Sequence, residues 1–391
     1  MKSLNGNEMN EPVCCPYCQS QNFVKKGRRL SINKKCYRQS YLCRECRRWF
    51  KGKNVRITEE FKYIPKEIEP RNWSSYTEAQ NNEKLMLMDI LDEILMLVES
   101  KEGKRRGRPK ISKHDIIFSM AMKEHSRLSS RRLISDLKMA RDRSLIEHVP
   151  HFTSLMHYYE SKEITKLLNK LIEISSLPLK EIENTFAIDS TGLSTSVFGR
   201  WFDYKFDKES ERRQYLKLHL MIGTSSNVAV SAMVTESDIG DSTMFPDLVN
   251  DAERNFSIEK VVADKAYLSG RNYAIVEDFG GTAFIPFKSN SRSIGRGRRA
   301  IWRKMYHYFH DHKQEFLRSY HIRSRVESSF MALKTKLGSS LKTKTFTAQR
   351  NEILARVLIY NICCLVRQYY ESNLELVFST EVAEDKALAV A

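Results

Sequence analysis

Between Tyr320 and Lys334 the chain reads Tyr320-x2-Arg323-x3-Glu327-x6-Lys334. An α-helix turns about 100° per residue, so these four side chains fall within roughly 60° of one another. One stripe then shows a phenol, a guanidinium, a carboxylate and an ammonium, an acid with a basic escort. A second stripe, Ile322, Val326, Phe330, Leu333 and Leu337, lies a quarter-turn away and is expected to face a core. A surface helix of mixed charge would have the same composition. Two aspartates upstream favour chemistry instead. Asp189 follows the apolar, β-prone run Thr185-Phe186-Ala187-Ile188, and Asp264 follows Lys260-Val261-Val262-Ala263. Both are expected at the exposed ends of buried strands. Either alone could be a turn residue. Together with Glu327 they form three carboxylates that could converge, a hard-oxygen set suited to Mg2+ or Mn2+.

With these residues the chain resembles the DDE-type insertion-sequence transposases. The resemblance rests on Ile188-Asp189-Ser190-Thr191-Gly192, on Asp264-Lys265-Ala266-Tyr267 and on the Tyr-Arg-Glu-Lys signature, and it covers roughly 183–370. Tyr215-Leu216-Lys217-Leu218-His219 and the stretch Thr235 to Ser242 match the strand and loop between the first two acids. Many relatives have glycine where this chain has Ala266. The resemblance implies an α/β, ribonuclease H-like catalytic domain in which Asp189, Asp264 and Glu327 hold two Mg2+ or Mn2+ ions, Asp189 bridging them. It implies that Tyr320, Arg323 and Lys334 hold the phosphates of the cut strand. The activity implied is cleavage at the terminal inverted repeats of a DNA element and joining of the 3′-OH to target DNA, by a homodimer in the active complex. A non-catalytic zinc-ribbon DNA-binding regulator derived from such an enzyme, and a metal-dependent DNA nuclease, are the alternatives.

The elements that must position these residues are partly legible. Asp189 needs one strand; a hairpin is expected from Tyr215 to Thr235, a helix near Met244 to Phe256, then the strand to Asp264. A helix from Gly270 to Asp278 and a strand from Thr282 to Phe287 follow. Lys288 to Arg318 reads as a basic insertion that forms a flexible loop. His219 is expected to face the core or bond locally, and Asp238 and Asp241 to cap the next helix. Asp247 and Asp251 read as solvated. Trp201 and Trp302 could stack on an unpaired base, but core packing is the commoner role of tryptophan.

A second constellation precedes this one. Cys15-x2-Cys18 and Cys43-x2-Cys46 are separated by 24 residues, the spacing of four thiolates around one structural Zn2+ in a zinc ribbon. A reducing compartment disfavours disulfides. Cys14 could substitute as a ligand and Cys36 is spare, whereas Cys363 and Cys364 lie in an apolar helix and read as packing residues.

At 391 residues and 41% hydrophobic content the chain can build two or three domains with real cores. The expected organisation is a zinc ribbon over 1–62 and a linker with an amphipathic helix, Leu85 to Val98, over 63–103. A helical DNA-binding region over 104–180, the catalytic domain over 181–372 and a tail over 373–391 complete it. A net charge of +17 calls for a polyanionic partner, most simply double-stranded DNA. Arg106-Gly107-Arg108-Pro109 resembles an AT-hook, with Arg106 and Arg108 reaching into an A·T-rich minor groove. A basic interdomain tether has the same composition, and both readings stand. Ser129 to Leu137 has the starts and apolar spacing of a helix-turn-helix-like bundle. No signal peptide precedes the first cysteines, and no apolar run approaches the ~18 residues a bilayer requires. No membrane partner is expected, and the prokaryotic cytoplasm and nucleoid are the expected location.

Overall fold

The computed structural model describes residues 14–31, 36–56, 72–98, 110–195, 215–293 and 300–378. The chain divides into two compact units, Met1–Pro70 and Arg71–Ala391. In the first, β1 (Phe23–Ser31), β2 (Cys36–Cys43) and β3 (Trp49–Arg56) form an antiparallel sheet in that order. Alternation along β2 puts Tyr41 and Cys43 on one face. Tyr41 stacks on Phe50 at 5.3 Å, and Phe23 meets both rings edge-on. That core is a few rings and cysteines, and a domain this small needs a staple.

The second unit opens with α1 (Trp73–Met96), whose N-terminus is capped by the Asn72 side chain accepting from the Ser75 N–H. The helix starts a dozen residues before the expected Leu85. Its first half is mostly exposed and carries no apolar stripe, so periodicity could not mark it; a helix extended from a packed segment needs only a cap. Leu87, Ile90, Leu91, Ile94 and Leu95 are buried as expected. Then come α2 (Lys113–Ser126), α3 (Leu133–Asp142), α4 (Phe152–Tyr159) and α5 (Lys162–Ser176).

The sheet follows: β4 (Thr185–Ser194), β5 (Tyr215–Gly223), β6 (Ala229–Glu236), α6 (Asp241–Glu253), β7 (Lys260–Ala263), α7 (Gly270–Asp278) and β8 (Thr282–Phe284). The strand order is β6-β5-β4-β7-β8. β4, β5 and β6 pair antiparallel, while β7 and β8 add parallel to β4. This is the ribonuclease H-like order. β8 stops at Phe284, short of the expected Phe287.

The segment expected as a basic loop instead contains α8 (Ala300–Asp311) and α9 (Lys313–Tyr320). Ile301, Trp302, Met305 and Phe316 are buried there. These few apolar residues at helical spacing are obscured by the surrounding arginines and lysines. Trp302 packs edge-on against Phe287 at 4.9 Å and Tyr273 at 6.1 Å. It is a core residue, not a stacking platform.

After a 3-10 turn over His321–Arg323, α10 (Ser324–Leu337) carries Glu327 and Lys334 of the signature. It ends at Gly338, whose φ of +96° suits a residue without a side chain. The last helix, α11 (Phe346–Ser372), is buried from Ala348 to Val366 except at half-buried Arg350. α1, α2, α4, α5, α10 and β6 pack on it. A helix surrounded by packed elements belongs in a core; its buried polar groups, Arg356 and Glu352 among them, are paired, and Cys363 and Cys364 lie buried in it. No helix among the described residues is long and apolar enough to cross a membrane.

Candidate active site and metal centre

The parallel pairing of β4 with β7 ends at Ile188 opposite Ala263. The next residues on the two strands are Asp189 and Asp264, so the sheet delivers two carboxylates side by side. Asp264 leaves its strand as expected, starting a short 3-10 turn over Lys265–Tyr267 and accepting from the Lys265 N–H at 2.7 Å. Asp189 does not end its strand. β4 runs on through Ser194, paired with β5 and bridged to Ser340 at its last residue, which leaves Asp189 mid-strand and half-buried. The boundary visible in the sequence is where β7 stops, not where β4 does.

The third acid comes from α10, which packs on β4 and β5 through buried Val326, Phe330, Leu333 and Leu337. Ile322 is not part of that core stripe. It is 38% exposed, because the signature is not one helix: Tyr320 ends α9 and the 3-10 turn shifts the register before α10 begins. Glu327 lies in the first turn of α10, where the helix dipole favours negative charge.

Arg323 joins two of the acids. One terminal nitrogen donates to Asp189 Oδ2 at 2.8 Å and the other to Glu327 Oε1. The Tyr320 ring lies 5.8 Å from the guanidinium. Lys334, further along α10, donates to Thr191 Oγ1 at 2.6 Å. Asp189 and Thr191 are two residues apart and share a face of β4, so Arg323 and Lys334 align along that strand. Thr191 was missed as a positioning residue because β4 was expected to end at Asp189. Among the described residues, the oxygens of the three carboxylates do not all close to within 4.8 Å of one another; Arg323 spans the gap between Asp189 and Glu327.

Burial raises the Asp189 carboxyl above the ordinary range. The Ser190 N–H and Arg323 oppose that, and the charges of Asp264 and Glu327 add to it. Burial also lowers Lys334 and raises Tyr320. Three acids held near one another, Asp189 and Asp264 of them half-buried, repel, and a cation relieves that repulsion. The donor set fits hard divalent ions.

Other predicted residues have plainer roles. His219 is buried and bonds Thr235 Oγ1 at 2.9 Å. Asp241 does not cap α6, whose N-cap is Gly240, with no side-chain cap; it pairs with Lys217 at 3.1 Å. Asp251 is half-buried, bonded to Ser231 and paired with Arg254. Arg106, Arg108 and Trp201 lie outside the described residues.

In the first unit, Cys15, Cys18, Cys43 and Cys46 place their sulfurs within 4.8 Å of one another. Cys15 and Cys46 are 3.6 Å apart, and Cys18 and Cys43 3.5 Å. Sulfurs ~2.3 Å from one central Zn2+ in a tetrahedron would stand ~3.8 Å apart. Burial raises the Cys15 thiol, but the backbone at Tyr17 and Cys18 and the neighbouring thiols bring it down to about 7. Against a backbone hydrogen bond at Ser20, burial and the other thiols push Cys18 up to about 12. Four crowded thiols that ionise unequally fit a shared structural Zn2+.

Residues 181–362 match the family model of the transposase DDE domain. The match spans all five strands of the large sheet and takes in Asp189, Asp264 and Glu327. Among solved structures, the chain also resembles the piggyBac transposase synaptic complex with hairpin DNA, determined by cryo-EM. That match has 11% identity and a TM-score of 0.35 over 77% of this chain and 78% of that one. So loose a superposition says nothing about side chains.

Proposed function

We propose that this protein is a transposase that binds the terminal inverted repeats of a DNA element, cleaves at its ends and joins the freed 3′-OH to target DNA. The observation that carries the reading is the register of β4 and β7, which sets Asp189 beside Asp264 while Arg323 ties Asp189 to Glu327. Asp189, Asp264 and Glu327 are the residues that would hold two Mg2+ or Mn2+ ions. Such ions, when bound, activate an oxygen nucleophile and stabilise the leaving 3′ oxygen. Tyr320, Arg323 and Lys334 hold the phosphates of the cut strand and keep it in line. Water is the first nucleophile and releases the 3′-OH; that hydroxyl then attacks a target phosphodiester.

The net charge of +17 supports a long duplex as partner. The zinc ribbon, the helical region before the sheet, and Arg106 and Arg108 in the minor groove extend the grip, with two subunits in the active complex. The test is strand transfer. Purified protein with Mg2+ joins a cognate terminal-repeat duplex to a plasmid, and Asp189→Ala abolishes joining without loss of binding. Ends that are cut but never joined identify a nuclease instead. DNA binding with neither step identifies a regulator. Unchanged joining by Asp189→Ala overturns the carboxylate assignment.

A further inference from the structure

Away from the acids of the sheet, α1, α2 and α11 bring a second set of ligand-type side chains to one point. Glu83 from α1, His125 from the last turn of α2 and Cys363 from α11 each offer a ligand atom, and those atoms lie within 4.8 Å of one another. The Glu83 and His125 side chains are each 14% exposed, so the group lies just below the surface, within reach of a small ion. Glu83 Oε1 faces His125 Nε2 at 3.4 Å. Glu83 Oε2 accepts from Lys336 of α10, whose ammonium also lies near enough to the Cys363 thiol to be favoured by it. His125 Nδ1 is buried with no hydrogen-bond partner, an arrangement a protein seldom tolerates without a reason.

We propose that Glu83, His125 and Cys363 form a second metal site, for an ion of the Zn2+ class, in which Lys336 is the resident cation that the metal displaces. One carboxylate oxygen, one imidazole nitrogen and one thiolate are the mixed donors of a borderline-soft ion, and Mg2+ would take none but the first. Atoms no more than 4.8 Å apart stand at most ~2.8 Å from a common centre, and small rotamer changes close this to the ~2.0–2.3 Å of zinc bonds. Three protein ligands leave a fourth position for water. Binding converts the Cys363 thiol to a thiolate and releases one proton to solvent, while the Lys336 ammonium, 34% exposed, swings outward. Lys336 lies two residues beyond Lys334 on the helix that carries Glu327. Loading the site therefore unties α10 from α1, and excess zinc should inhibit any activity that depends on α10.

The test uses the full chain with its N-terminal cysteine cluster first filled with one equivalent of Zn2+, then titrated with Co2+ and followed by visible absorption. The expected result is one further equivalent with a thiolate-to-cobalt charge-transfer band. Cys363→Ala abolishes the band, His125→Gln weakens binding at least tenfold, and Cys364→Ala leaves both unchanged. Lys336→Met, which removes the competing ammonium, binds Co2+ at least tenfold more tightly. A further equivalent without the thiolate band would lie on carboxylates and overturn the proposal. So would a band that survives Cys363→Ala, or no further equivalent. Failure of the cysteine cluster to take up the first equivalent is a separate result and is read before cobalt is added.

Discussion

Replacing Arg356 with methionine removes a guanidinium from a place almost closed to solvent. Its side chain is 2% exposed. Nε donates to Glu124 Oε2 at 2.9 Å, and one terminal nitrogen to Glu352. The carbonyls of Gly338 and Ser340 accept from its terminal nitrogens at 3.1 Å each. Methionine would leave two buried carboxylates without that partner and two carbonyls without a donor. Removing one member of a buried pair costs ~3–5 kcal/mol, and each orphaned carbonyl adds ~1 kcal/mol or more. Some of that is offset, because Glu124 keeps Lys123 at 2.8 Å and Glu352 keeps the Lys342 and Thr343 N–H groups. The expected loss is about 4 kcal/mol, a large share of a typical stability of ~5–15 kcal/mol. Urea denaturation followed by circular dichroism measures it. The double variant Arg356→Met/Glu352→Gln should be more stable than the single one, because it also removes a stranded charge. The consequence extends to the acids. Ser339 and Leu341, in the same segment, pair with Ser194 at the end of β4 at 3.1 and 2.8 Å. Arg356 therefore helps clamp α10 onto the strand that carries Asp189, and strand transfer should fall even where the variant stays folded. A loss below ~1 kcal/mol, or a double variant less stable than the single, would refute this account.

Thr191→Val removes the acceptor that holds Lys334 and should lower strand transfer about tenfold, the rate equivalent of ~1.4 kcal/mol, with DNA binding and melting nearly unchanged; Lys334→Met should cost more. His219 is brought down to about 4, chiefly by burial, so it is neutral when folded and charged when unfolded below its ordinary 6.5. Stability should therefore fall as pH drops from 6.5 towards 4, by up to about 3 kcal/mol; His219→Gln should flatten that slope in urea midpoints. Cys43→Ser should lose the bound zinc, measured by metal analysis, and melt the N-terminal unit while the 71–391 unit keeps its transition.

Chemistry could be read wherever it is encoded in local spacing. The two C-x2-C pairs, the acids after Ile188 and Ala263, and the Arg323–Glu327–Lys334 stripe depend only on residue type and on helical or strand periods. The hairpin of β5 and β6 and helix α7 were legible for the same reason. Local pattern failed where neighbouring chain segments decide the outcome. β4 looked finished at Ile188 because its parallel partner ends there, yet β5 carries it on to Ser194. α8 and α9 looked like a loop because four apolar side chains, meaningful only once Phe287, Tyr273 and Phe284 are packed against them, were outnumbered by cations. Arg323 could be placed beside Glu327 by counting, but its contact with Asp189 joins residues 134 apart in sequence. The cluster of Glu83, His125, Cys363 and Lys336 had no linear signature at all. The sequence by itself determined which side chains this protein can offer to metal and phosphate. Which of them meet was decided by the tertiary structure, because contact between distant segments follows from burying one shared core, and no single window of residues contains that core.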